Sequence, residues 1–261
     1  MFAFQASPAP PPVGFIVTTS TCHATFTEAL YVSVSLHNGT GIRMSRYYQT
    51  LQTQRFDDYR YYHQSRINQT LHLVSAVIFL VAYALLFKHP AMAGLVGWLA
   101  MLTRQTGHFF FEPNGYDHVN GVSNDYKEAV KVGYNQTRKI VLLAVWGLVP
   151  VALVLSPTLF GLFDAPLSRM DFVRHVGVLW LAVGIGAGLF RVIQLAATQD
   201  VATGLIWAFK VLTDPFHNIA LYWKSPLALL RGELIDPTIK DASHWGAAAD
   251  EAETEEAAHL T

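Results

Sequence analysis

The chain has 261 residues, of which 52% are hydrophobic and 14% charged, against about 25% charged in an ordinary soluble domain. Its net charge of −1 and the lack of any basic stripe exclude a nucleic-acid-binding protein. The single cysteine, Cys22, excludes an internal disulfide and a cysteine-cluster zinc site, so the eleven histidines and the carboxylates are the credible metal ligands.

Residues 1–43 combine a proline run (Pro8, Pro10, Pro11, Pro12) with an aperiodic Ser/Thr-rich stretch. They read as a disordered extension, with Met44 as a candidate natural start. No basic segment followed by a long apolar core marks a signal peptide. Residues 44–70 are polar and aromatic, with Tyr47, Tyr48, Phe56, Tyr59, Tyr61 and Tyr62 among Arg55, Arg60 and Arg66. Tyr and Arg suit a helix at a membrane boundary, and they equally suit a helix packed on its own protein.

Leu71 to Phe87 reads as a first membrane span. Lys88-His89-Pro90 turns the chain, and Ala91 to about Phe111 forms a second span ended by Pro113. About 20 apolar residues cross a bilayer core, and 17 can suffice. Glu112 to Arg138 is a polar connection, long enough to predict a function or a short helix of its own. Ile140 to about Leu155 is a third span. An outer loop with Asp164, Arg169, Asp171 and Arg174 precedes a fourth, from Val176 to about Ala197. Its Gly184, Gly186 and Gly188 suggest close helix packing, and Arg191 and Gln194 near its end suit snorkelling or a lipid carboxylate.

Val201 to Leu212 and Ile219 to Leu230 are apolar pieces separated by Asp214-Pro215. They read as re-entrant or interfacial helices, with a fifth crossing as the alternative. Residues 241–261 form an Ala/Glu-rich acidic tail that reads as disordered. The whole is an all-α, polytopic helical membrane protein with about four transmembrane helices, its membrane domain spanning 44–240. Mean hydropathy is +0.28, diluted by the polar ends.

With four crossings, residues 55–70, 104–139 and 191–240 share one face and carry 3, 5 and 5 basic residues. The other face has Lys88, Arg169 and Arg174. The positive-inside rule puts the first face in the cytoplasm, for a protein of a bacterial inner membrane or the endoplasmic reticulum.

Two polar signatures flank the first hairpin: Tyr62-His63-x4-Asn68-x3-His72 before it, and Gln105-x-Gly107-His108-x3-Glu112 at its end. A chain that crosses a bilayer and returns brings its ends to the same face. His63, His72 and His108 are therefore expected together as a metal site at the cytoplasmic surface. Asn68 and His72 share a helical face, as do Gln105, His108 and Glu112. His63 and His72 are nine apart and would point oppositely on one straight helix, so the chain must bend between them. Imidazoles and a carboxylate with open positions suit non-haem Fe(II). Asn68 and Gln105 are candidates to orient ligand imidazoles, and Glu112 is a ligand, an orienter or a base. His217, after Pro215, is a fourth candidate ligand. His118 sits in an Asn/Gly-rich stretch that reads as mobile, and Asp125, Tyr126 and Glu128 as solvated helix positions.

These motifs resemble the 2-hydroxy-fatty-acid dioxygenase family, small multi-span proteins with a histidine motif before a hydrophobic hairpin and a Gly-His-x3-Glu motif after it. The likeness covers about residues 59–115, and more weakly Lys224-Ser225-Pro226-Leu227. It implies Fe(II)-dependent α-oxidation, in which a 2-hydroxy fatty acid and O₂ give an acid one carbon shorter, with His63, His72 and His108 at the iron. The chain departs from the family in Pro113-Asn114-Gly115-Tyr116-Asp117, where a Pro-Ala pair is usual, and in Val74-Ser75-Ala76, where Gly-x-Pro is usual. A di-iron hydroxylase would need H-x3-H and H-x2-H-H clusters, which are absent. A non-enzymatic scaffold binding lipid headgroups, or a small transporter, is the remaining class; few charges within the spans and no evident repeat weigh against transport.

Overall fold

The computed structural model describes residues 46–112, 116–130 and 136–240. The proposed extension 1–43 and the tail 241–261 lie outside them. Within the described residues the fold is all-helical, without a strand: α1 (Arg46–Tyr62), α2 (Arg66–Leu86), α3 (Pro90–Phe110), α4 (Asn124–Val130), α5 (Gln136–Leu155), α6 (Arg169–Thr198), α7 (Val201–Tyr222) and α8 (Ser225–Leu230), then a 3₁₀ turn at Pro237–Lys240.

α1 ends at Tyr62, and three residues later Ser65 caps α2 by accepting from the Ile67 N–H at 3.2 Å. The required bend at His63 is thus a true helix break. A helix end leaves its last carbonyls without partners, and two α2 side chains supply them. Asn68 Nδ2 donates to the Tyr62 carbonyl at 2.6 Å and Gln69 Nε2 to the His63 carbonyl at 2.8 Å. The chain's last described stretch closes over the bend. Arg66 N–H donates to the Leu234 carbonyl and Asp236 N–H to the Gln64 carbonyl, each at 2.9 Å.

α2 and α3 form the expected hairpin, with Pro90 in the first turn of α3, where its missing N–H costs nothing. Ser75 Oγ donates across it to the Ala100 carbonyl at 2.7 Å. α3 meets α6 at two glycines: a Cβ on Gly94 would strike the Gly177 carbonyl, and one on Gly177 the Ala91 carbonyl. Gly204 of α7 lies on the Val192 carbonyl of α6, less closely but still without room for a Cβ. Around Gly186 and Gly188, by contrast, a Cβ would meet nothing. The closest crossings therefore use Gly94, Gly177 and Gly204, and of the glycine run in α6 only Gly184 is close-packed, against the Trp146 ring of α5. α5 is tied to α6 by a reciprocal pair: Trp146 Nε1 donates to the Trp180 carbonyl and Trp180 Nε1 to the Trp146 carbonyl, at 2.9 and 2.8 Å.

α7 corrects the expectation of two separate apolar pieces. It runs unbroken through Pro215 for 22 residues. The proline disturbs one rung of the helix ladder, and the nearby Leu212 carbonyl takes the Tyr83 hydroxyl at 3.4 Å. Its polar residues are matched by α1: Arg55 donates to Thr213 Oγ1 at 2.8 Å, and Lys210 pairs with Asp58.

α2 and α6 are long and apolar enough to cross a membrane. Large apolar side chains stand exposed along several helices, among them Val77 and Val81 on α2, Leu148 and Val154 on α5, and Leu189 and Ile193 on α6. The polar connection contains the predicted short helix, α4. The stretch before it is a built turn rather than a mobile one. Asp117, 1% exposed, accepts from the Val119 and Asn120 N–H groups at 3.0 and 3.1 Å, and from Gln64 Nε2 at 2.7 Å.

Candidate metal centre

The α1–α2 break, the second turn of α2 and the last turn of α3 deliver one histidine each. His63, His72 and His108 are 3%, 0% and 7% exposed, and their candidate ligand nitrogens all lie within 4.8 Å of one another. His72 Nε2 and His108 Nε2 are 3.1 Å apart. Metal–imidazole bonds are about 2.0–2.1 Å, so two cis ligands on one ion should have nitrogens about 2.9–3.4 Å apart. The spacing fits, and the three histidines form a group that could hold a metal ion.

The outer nitrogens of His108 and His63 are fixed by other groups. His108 Nδ1 lies 2.7 Å from Glu112 Oε2, one helical turn on, and both side chains are buried. Nδ1–H donated to that carboxylate leaves the Nε2 lone pair for a metal, the usual carboxylate–histidine–metal arrangement. His63 Nδ1 lies 2.6 Å from the Tyr222 hydroxyl at the end of α7. Of the three roles open to Glu112, the contact is that of an orienter.

The orienting roles expected of Asn68 and Gln105 fall instead to Glu112 and Tyr222. Asn68 serves the helix break, and its Oδ1 fills the space where any Cβ at residue 107 would sit. That contact explains the glycine beside His108: α2 and α3 must approach this closely for the two imidazoles to meet. Gln105 Nε2 contacts Met101 Sδ at 3.2 Å, and its buried Oε1 has no hydrogen-bond partner among the described residues. A buried acceptor of this kind costs free energy unless something completes it.

His217 does not join the three. It lines a small cleft beside them, with Arg55, Asp58, Arg104 and Asp214, while His63 and Tyr222 form the near wall. His118 is exposed and stacks edge-on to Tyr116, with ring centres 5.1 Å apart. Asp125 is exposed, whereas Tyr126 is half-buried against Tyr61. Arg191 donates to Gln194 at 2.8 Å.

Sequence reasoning missed Tyr222, because its Tyr-Trp-Lys context reads as an interfacial anchor. It also missed Asp117 and Asp236, the two acids that hold the bend. Asp236 receives Gln69 Nε2 at 2.8 Å and Arg66 at 2.9 Å. Burial would raise both carboxyls, but hydrogen bonds from Asn120 and Gln64 to Asp117, and from Gln69 and Thr238 to Asp236, hold each below the usual carboxylate value. Burial pushes the Tyr59 hydroxyl beside Asp236 up to about 12.

The site is thus a group of three buried histidines on a helical scaffold that could hold a metal ion. Comparison with family models, curated proteins and solved structures gives no match for this chain.

Proposed function

We propose that the chain is an integral membrane Fe(II) oxygenase that shortens a 2-hydroxy fatty acid or related lipid by one carbon. The observation that carries it is the buried histidine trio with its two outer nitrogens held by Glu112 and Tyr222. Imidazoles alone suit Zn, Cu, Fe or Ni, so the choice of iron, O₂ and a hydroxylated acid rests on the motif resemblance. The exposed apolar side chains of α2, α5 and α6 support a membrane setting, since such surface needs a non-aqueous neighbour; four crossings with the histidines at the cytoplasmic face rest on the apolar runs and the Lys/Arg count of the sequence.

The reaction balances without an external reductant: a 2-hydroxy acid and O₂ give the shortened acid, carbon dioxide and water. Iron bound by His63, His72 and His108 would supply the one-electron chemistry that O₂ requires. The protein's own part is positional. Glu112 and Tyr222 hold two imidazoles in the binding tautomer, Gly107 lets α2 and α3 close on one another, and the hairpin's apolar surface receives the acyl chain. Burial of all three histidines keeps bulk water from the reacting carbon.

Metal content of the detergent-purified protein, wild type beside His108→Ala, tests this. About one iron per chain, lost in the variant, is expected. No bound metal after anaerobic Fe(II) reconstitution would sink it and leave a non-enzymatic protein that binds lipid headgroups or moves a small solute.

A further inference from the structure

Beside the histidines, α1, α3 and α7 bury an unbalanced set of charges. Lys210 is bonded to Asp58 and, at 3.2 Å, to Asp214. Arg55 stands 4.0 Å from Asp214, and Arg104 reaches it from α3 at 3.6 Å. Three cations share two carboxylates, and the most exposed of these five side chains, Arg104, is only 21% exposed. Buried charges persist when they are compensated, and among the described residues this cluster carries one positive charge in excess. Arg104 is its loosely held member, since Arg55 is also anchored to Thr213 Oγ1 at 2.8 Å. The distances of both arginines to Asp214 exceed hydrogen-bond length, and Arg104 makes no hydrogen bond among the described residues. Both line the cleft whose near wall is His63 and Tyr222.

We propose that this cleft is a carboxylate subsite, in which Arg104, backed by Arg55, receives the head of a fatty acid and sets the adjoining carbon against the histidines. A carboxylate monoanion cancels the excess charge, whereas a phosphate dianion would leave the buried cluster negative. The guanidinium fork matches a carboxylate in two parallel bonds. The assignment rests on the lipid-oxygenase reading for its substrate, but the binding itself needs no metal, so the two can fail separately.

The test is binding of tetradecanoate, its methyl ester and dodecyl phosphate to the full chain in detergent, stripped of metal with EDTA. Wild type should bind the acid about tenfold or more tighter than the ester. Arg104→Gln should lose that preference and keep ester binding, while Arg104→Lys, with the charge but not the fork, should fall between. If Arg104→Gln does not fold, judged by circular dichroism, Arg55→Gln is read in the same way. Equal binding of acid and ester by wild type, undiminished acid binding by a folded Gln variant, or preference for the phosphate overturns the proposal. Arg104-dependent acid binding in a protein that never takes up iron supports the subsite and sinks the oxygenase.

Discussion

The two ends of the α2–α3 hairpin are held by different physics. At the histidine end directional hydrogen bonds run through the packing: Asn68 and Gln69 on the α1 carbonyls, Asp236 on Gln69 and Arg66, Asp117 on Gln64. At the other end α3 meets α6 through bare backbone at Gly94 and Gly177 and through the stacked rings of Trp98 and Trp180. Hydrogen bonds fix angles, as a ligand set requires. Close glycine contacts fix only distance, which suffices to keep a scaffold together in lipid. Damage at the first end should therefore remove function from a folded protein, and damage at the second should remove the fold.

The largest effect expected is at the ligands. His72→Ala and His108→Ala should each abolish metal binding while leaving helix content intact, as read by metal analysis beside circular dichroism. Retained metal in both variants would falsify the site. Next come the groups behind the ligands. Glu112→Gln and Tyr222→Phe should each weaken metal affinity about 10–100-fold in competition with a chromophoric chelator, with little change in unfolding. Gly177→Ala should reverse that pattern, costing about 1–3 kcal/mol of stability by overpacking in denaturant titration, with normal metal content in the folded fraction. The smallest effect is acidic. Asp117 and Asp236 have lowered folded pKa values, so their stabilisation is complete above the unfolded carboxylate pKa of about 3.9 and drains away as pH falls through the folded values. Asp117→Asn should flatten the acid limb of a melting-temperature profile; an unchanged limb would remove Asp117 from that role.

The same contrast governs what could be read from the sequence. Apolar runs located α2 and α3 to within a few residues, and the topology of a hairpin brought His63, His72 and His108 together before any geometry was known. α7 was hidden because Asp214-Pro215 interrupts its apolar pattern. What restores the helix lies on α1, with Lys210 and Asp58 152 positions apart, and no local pattern carries such a pairing. Tyr222 was hidden for the same reason, 159 positions from His63. Gly107 was visible as a letter but not as a contact, since only the position of Asn68 shows why a side chain is forbidden there.

The closure of the α1–α2 bend by residues 234–236 has a consequence for biogenesis. His63 gains its final backbone setting from some of the last described residues of the chain, and Tyr222, its side-chain partner, also comes late. His72 and His108 can meet as soon as the α2–α3 hairpin forms, yet His63 lacks its Tyr222 partner and its closed bend until translation has passed Asp236. On the proposed metal reading, capture by all three histidines waits for the finished protein, and a chain broken off near residue 230 is expected to lose metal affinity.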